Sequence, residues 1–404
     1  MTRPSVRKVT VGESPLTSDA TSRSNMTVVQ ATSVHVPTDT RILHRECRSL
    51  VEAGYRVVLV APGISASDKA VDLLFVPPPS NRLLRATQTA IRVIWTSIQE
   101  RPTVLHVHDP ELLPWAQLAR LTGTKVIYDM HENLPAAILR KPWIPQRLRP
   151  AVAWTAKHME RVLIRGLPVV FAEESYPYLF SSSRQCVTVL NLPRVDMLPT
   201  SASERKFEHF SVGYVGGVSP DRGSKETLQA LRKVRHNGQR VDFHCVGPCT
   251  AAHRQELLAL WREGDSGCLT LYGRVDPLLA WRTMAQCHVG MAVLHPSPNY
   301  LASYPTKMFE YMGIGIPVIV SDFPLYREII DRYRCGLCVD PTDALAIADA
   351  VEYLATHPEE AEGMGRRGAE AVREKLNWRA EERKLLRFYE ILTEESARTG
   401  RRRR

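Results

Sequence analysis

The stretch PTKMFEYMGIGIPVIVSD, from Pro305 to Asp322, constrains this chain more than any other. It reads as a short helix, a glycine turn and a buried strand. Pro305 suits a first helical turn, where its fixed φ and missing N–H cost nothing. Gly313 and Gly315 are expected to end the helix and let the chain reverse. Ile316 to Val320 is an apolar, mostly β-branched run, as a parallel strand covered on both faces requires. The expected fold class is therefore α/β.

The polar residues of this helix carry chemistry. A helix N-terminus presents unpaired N–H groups and the positive end of a dipole, which together favour an anion. Thr306 adds a hydroxyl there and Lys307 a cation. Glu310, four residues after Thr306 and three after Lys307, shares their side of the helix. A nucleotide diphosphate would fit, with phosphates at the helix start and sugar hydroxyls one turn along. The alternative is an ordinary surface pair of Lys307 with Glu310.

The length of 404 residues suits two domains. No apolar run approaches the roughly 20 residues needed to span a bilayer. The N-terminus lacks the apolar core of a signal peptide, so a cytoplasmic protein is expected. The net charge of +10 favours anionic partners. Without a zinc-finger or helix-turn-helix pattern, nucleic acid is the least favoured of these. Cys245 with Cys249 and Cys335 with Cys338 allow a four-thiolate zinc site, or four unpaired cysteines at strand ends.

Residues 1–24, rich in Ser, Thr and Arg, read as a disordered leader. Met26–Ala31 and Tyr55–Ala61 read as strands, with a helix from Asp39 to Ala53 between them. The loop VHVPTDTR before that helix holds Asp39, a cap candidate, and Arg41, which either meets an anion or is solvated. After a helix at Leu83–Glu100, the strand Val104–Val107 runs into HVHDPELLP. The strand Lys125–Tyr128 runs into DMHENLP. Two strand ends thus bring His108, Asp109, Asp129, His131 and Glu132 towards one crevice, where open α/β sheets bind ligands. These groups either serve a ligand or pair with one another and cap helices.

Residues 138–165 hold seven Lys/Arg and one acid, Glu160, with Trp143 and Trp154 interspersed. This is the pattern of a helix resting on anionic lipid, or of a solvated basic face above a core stripe of Val152, Trp154, Met159, Val162 and Leu163. Beyond a Pro- and Ser-containing linker, the strand Phe210–Val215 leads into GGVSPDRGSK. Gly216 and Gly217 permit close backbone approach, and Arg222 and Lys225 bring cations to the next helix start. Leu269–Tyr272 leads into GRV, and Val289–Leu294 leads into HPSPNYLASYPTKMFEYM.

Over residues 26–395, these motifs in this order resemble the retaining GT-B glycosyltransferases of the family-four group, in particular bacterial polysaccharide and glycoconjugate transferases. The resemblance implies two Rossmann-like domains facing across a cleft. The expected division is an acceptor-side domain over 25–195, a linker at 196–206, a donor-nucleotide domain over 207–376, a cross-over helix at 377–397 and a basic tail at 398–404. It implies sugar transfer with retention from a nucleotide diphosphate sugar to a glycan or lipid-linked acceptor.

Residue by residue, the resemblance implies that His108 lies near the transferred sugar, with Asp39, Arg41, Asp109, His131 and Glu132 on the acceptor side. Arg222 would grip the diphosphate, with Lys307 or Lys225 completing a two-cation clamp, and Glu310 would hold the ribose. Gly216, Gly217, Thr306, Gly273 and Val275 would line the nucleotide site. Many relatives carry a first glutamate where this chain has Ala302, so Asn299 or Ser303 would substitute for it. No DxD triplet occurs, so no metal is expected. A peripheral contact with the inner face of an anionic membrane is expected as well. Two other classes remain open: a non-catalytic nucleotide-sugar-binding subunit, or an epimerase or phosphorylase of the same fold.

Overall fold

The computed structural model describes residues 23–141, 143–179, 185–200, 204, 206–261 and 267–401, with side chains through residue 394 except that of residue 179. The chain forms two compact units, residues 1–191 with 379–404, and residues 192–378. Each is built on a parallel sheet. The first contains β1 (Thr27–Ala31), β2 (Arg56–Pro62), β3 (Asp72–Val76), β4 (Val104–Val107), β5 (Lys125–Met130), β6 (Val169–Phe171) and β7 (Cys186–Thr188). The second contains β8 (Ser211–Val215), β9 (Asp242–Val246), β10 (Leu269–Gly273), β11 (Val289–Ala292), β12 (Val318–Ser321) and β13 (Gly336–Val339).

Strand order is β3-β2-β1-β4-β5-β6-β7 in the first sheet and β10-β9-β8-β11-β12-β13 in the second. The order reverses between β1 and β4, and again between β8 and β11. Crevices form outside the carboxyl ends of strands at such points. The central strands are buried along their whole length, as in Val104–Val107 and Val318–Ser321. Helices on both faces of a parallel sheet remove its strands from water, so their sequences are continuously apolar rather than alternating.

In the first unit, the helices Ala90–Gln99, Leu113–Leu121 and Arg149–Leu163 lie side by side, each packed on the next. The Leu113–Leu121 helix and the edge strand β3 were not expected. Pro114 obscured the helix, yet it sits in the first turn, where proline is tolerated. β3 precedes Pro77, Pro78 and Pro79, which read as loop, and an edge strand gives only a weak apolar signal. The expected leader reaches residue 24, but its last residues are ordered. Arg23 is buried, donates to Glu390 at 2.5 Å and stacks near Tyr55. The rest of that leader lies outside the described residues, as do the last three residues of the basic tail.

In the second unit, the helix expected after Pro305 spans Thr306–Ile314, with Pro305 at its N-cap. Only Gly315 makes the turn, at φ 92°. Gly313 is helical instead, and a β-carbon there would stand 2.6 Å from Leu198 Cδ1. Its glycine serves close packing rather than the reversal. The strand starts two residues later than expected, at Val318.

Candidate functional site

The two sheets each place polar groups at their carboxyl ends. In the second unit, β8 ends at Val215 and the chain turns at Gly216, whose φ is 123°. A β-carbon on Gly216 would stand 3.1 Å from both Arg222 Nη1 and Lys307 Nζ. Two cations from separate elements therefore converge over one backbone turn. Arg222 closes the short helical turn Pro220–Arg222. Gly223 follows at φ 67° and opens the helix Ser224–His236. Any side chain at Gly223 would meet the Val293 carbonyl oxygen at 2.5 Å, so this approach requires glycine.

Lys307 extends from the first turn of the Thr306–Ile314 helix. Its Nζ is shut off from solvent and has no hydrogen-bond partner among the described residues. It lies 3.8 Å from the centre of the Tyr214 ring. Burial, and then the Arg222 charge, push the ammonium well below its ordinary range. Arg222 stays charged beside the Tyr214 and Tyr300 hydroxyls. Tyr214 in turn donates to the Gly217 carbonyl at 2.8 Å. Glu310 is buried one turn beyond Thr306. The result is a cationic cradle at a helix start, with a carboxylate further along.

Other residues expected around a nucleotide fall into place less uniformly. Lys225 is taken up by an ion pair with Glu256. Gly273 turns at φ 75° and its carbonyl accepts from Gly247 N at 2.8 Å, with half-buried Val275 just beyond. Ser303 Oγ donates to the Asn299 carbonyl at 2.8 Å. The Asn299 Oδ1 is buried and has no partner among the described residues. Ala302 ends the short helix Pro298–Leu301. Tyr214 and Tyr300 escaped sequence reading, because a tyrosine in or near an apolar segment looks like core.

In the first unit, a crevice of about 680 Å³ opens at the carboxyl ends of β4 and β5, beside the loop after β1. His108, Asp109, His131 and Glu132 all line it, so the two strand ends do converge. Asp109 is engaged by its neighbours: its Oδ2 accepts from Thr32 Oγ1 and Ser33 N, both at 2.7 Å. His108 is buried between Gln30 Oε1 at 2.5 Å and His131 Nε2 at 3.0 Å. Burial lowers its imidazole to about 4, so it is neutral at pH 7. His131 reaches the crevice and contacts Asp129 Oδ2 at 3.0 Å.

Asp39 caps the segment after it, accepting from Arg41 N at 2.9 Å and Ile42 N at 3.1 Å. Arg41 is neither solvated nor presented to a ligand. Its Nε and Nη2 donate to Asp129 at 3.0 and 3.1 Å, and its Nη1 donates to the Val189 carbonyl at 3.0 Å. It also lies 3.0 Å from Glu46. Its buried guanidinium anchors the carboxylate that backs His131. Asp129, expected at the crevice, is instead buried behind it and bound to Arg41, 88 residues away in sequence; Glu46, five residues after Arg41, gave no sequence signal of this pairing.

Tyr128, on the crevice wall, donates to Glu160 Oε1 at 2.8 Å. Burial raises the Glu160 carboxyl to about 7, against the lowering effect of that hydrogen bond. The folded protein then holds this proton where the unfolded chain has lost it. Stability from this group is complete below about pH 4.5 and falls as pH rises through about 7. The loss amounts to roughly 3 kcal/mol. Glu160→Gln should therefore gain stability relative to the parent as pH rises from about 5 to 8. Urea unfolding at several pH values checks this, and a constant difference would refute it.

Among the described residues, one group of donor atoms is close enough for a metal ion. Glu46, His106, His108 and Asp129 offer atoms within 4.8 Å of one another. Arg41 already supplies the positive charge at Glu46 and Asp129. Cys245, Cys249, Cys335 and Cys338 are free thiols outside any such group. The zinc alternative is not supported among these residues.

Comparison with known proteins agrees with both halves of the chain. Residues 209–357 match the family described as "Glycosyl transferases group 1", and residues 40–172 match the "Glycosyl transferase 4-like domain". The chain is 29% identical over 294 residues to a phosphatidyl-myo-inositol mannosyltransferase of Mycobacterium leprae, covering 72% of this chain and 73% of that one. Among solved structures it resembles sucrose-phosphate synthase from Thermosynechococcus elongatus, with TM-score 0.71 and 16% identity, over 91% of this chain and 99% of that one. It also resembles Anabaena HepE in complex with UDP and glucose, with TM-score 0.65 and 14% identity, over 90% and 99% of the two chains. At these identities the solved structures speak to the fold.

Proposed function

Since the chain belongs to the GT-B glycosyltransferases of the family-four group, we propose that it transfers a sugar with retention from a nucleotide diphosphate sugar to a lipid-linked glycan intermediate. The observation that carries the donor site is the convergence of Arg222 and Lys307 over Gly216, with Lys307 Nζ buried and unpartnered among the described residues. A diphosphate would give both cations their counter-charge. As the sugar departs, negative charge grows on that diphosphate, and fixed donors stabilise it most at that moment. Glu310 would hold the ribose, and His108 would lie near the transferred sugar. The reaction is read as metal-free, with the leaving phosphate helping to deprotonate the acceptor on the same face.

The acceptor's location is inferred from the first unit's surface. Most of the predicted core stripe on Arg149–Leu163 is not buried: Val152, Trp154, Met159 and Val162 are exposed and only Leu163 packs against the core, while Glu160 turns inward. Its neighbours expose Ile91, Trp95, Leu118 and Leu121. The helices Ala90–Gln99 and Leu113–Leu121 contain no acid at all. Cations interleaved with exposed aromatic and aliphatic groups suit the surface of an anionic bilayer. No helix among the described residues is long and apolar enough to cross a membrane, so the contact would be peripheral.

The test is a thermal-shift panel of UDP, GDP, dTDP and ADP with their sugar conjugates. A nucleotide at 100 times its dissociation constant should add roughly 2.7 kcal/mol. The effect should vanish in Arg222→Ala and Glu310→Ala. No response to any nucleotide would remove the donor assignment. NMR of the product's anomeric proton tests retention, and an inverted anomer would overturn it.

A further inference from the structure

The crevice of the first unit has two chemically distinct sides. Its floor is made by the strand ends, with His108, Asp109 and His131. Its rim carries Arg82, Lys141 and Trp143, beside an apolar wall that includes Leu134, Ile138 and Ile144. Arg82 Cζ lies 3.4 Å from the Trp143 ring centre and Lys141 Nζ lies 5.2 Å from it. Stacking on an indole holds a cation in place without neutralising it.

The acids of the crevice do not answer these two charges. Asp109 is used by Thr32, Ser33 and Val34, and Glu111 by Arg85 and Ser33. Glu132 belongs to the loop beside His131. No ion pair joins Arg82 or Lys141 to a carboxylate among the described residues. Two cations on one aromatic platform, open to a crevice of about 680 Å³, form a place for a multivalent anion. The adjoining aliphatic wall favours an apolar segment next to that anion.

Resting on the glycosyl-transfer reading, we propose that this rim is an acceptor subsite for an amphiphilic phosphate. The phosphate binds at Arg82 and Lys141, the apolar segment lies along Leu134, Ile138 and Ile144, and the accepting hydroxyl points to the His131 floor. The relevant acceptor chemistry is a phosphate ester joined to an apolar chain. A free phosphate ester would use the cations alone and leave the wall empty.

Calorimetric titration of the full chain with n-octyl phosphate, inorganic phosphate and neutral n-octyl glucoside separates these cases. Octyl phosphate should bind at least tenfold more tightly than either of the others. The double variant Arg82→Gln/Lys141→Gln should lose at least tenfold of that affinity, and Trp143→Ala should lose part of it. Both sets of side chains are at the surface, and the variants' nucleotide-induced thermal shift should match the parent's. That shift reports the second unit, so its absence in the parent would indict the donor reading and leave the rim proposal to be judged by the octyl phosphate titration. Undiminished octyl phosphate binding in the double variant, or none in the parent, would overturn the proposal. Equal binding of inorganic phosphate would overturn its apolar half, and equal binding of octyl glucoside its anionic half.

Discussion

Arg222→Ala and Lys307→Met should each lower the rate of sugar transfer by about 10²–10³-fold, the usual effect of removing one donor from a developing anion. The two variants should nevertheless differ in the free protein. Lys307 keeps a buried ammonium with no hydrogen-bond partner among the described residues, and burial and Arg222 both work against its charge. Replacing it by Met removes an unfavourable group, so the nucleotide-free variant should be at least as stable as the parent. Arg222 interacts with the Tyr214 and Tyr300 hydroxyls, so Arg222→Ala should cost stability as well as rate. Initial rates with saturating donor and urea unfolding of the free protein measure both effects. A Lys307→Met enzyme with parental activity would show that the ammonium is a core defect rather than a diphosphate ligand.

Arg41→Ala should destabilise the first unit by roughly 3–5 kcal/mol, the cost of leaving a buried charge without its partner. Arg41 is the cation held between Asp129 and Glu46, all of them buried. The two carboxyls titrate in opposite directions. Burial and the neighbouring Asp129 charge push Glu46 well above the usual carboxylate range. Asp129 is held well below it despite burial, chiefly by Arg41. Of the two carboxyls, Glu46 is therefore the one that more readily holds a proton and Asp129 the one that more readily holds the charge. Glu46→Gln keeps a neutral group of the same shape and should cost little, whereas Asp129→Asn should approach the cost of Arg41→Ala. Denaturant midpoints for the three variants decide this. Equal losses for Glu46→Gln and Asp129→Asn would mean that the charge is shared evenly.

Much of the cationic cradle in the second unit was legible in the sequence alone. Glycine turns between strand and helix, a proline at a helix start and cations just beyond them are local signals. Local sequence decides them, because backbone conformation and helix caps depend on neighbours a few residues away. The roles within such a motif were less secure. Lys225 and Lys307 both read as candidates for the second cation, and only packing directs Lys225 to Glu256 and Lys307 to the Gly216 turn. Gly313 and Gly315 looked equivalent, yet one serves a close contact and the other a reversal.

By itself the sequence determined the α/β class, the parallel strands and the convergence of His108, Asp109, His131 and Glu132. Apolar runs, and polar residues at their ends, follow from the burial of strands and the exposure of their tips. Only the tertiary structure decided which charges remain available. Arg41, 88 residues from Asp129 in sequence, is consumed by it, while Arg82 and Lys141 remain on the Trp143 platform. It also decided that Val152, Trp154, Met159 and Val162 of the basic helix face outward while its one acid faces inward. Periodicity locates a helix face but not its direction, since the packing of distant segments determines which face meets the core.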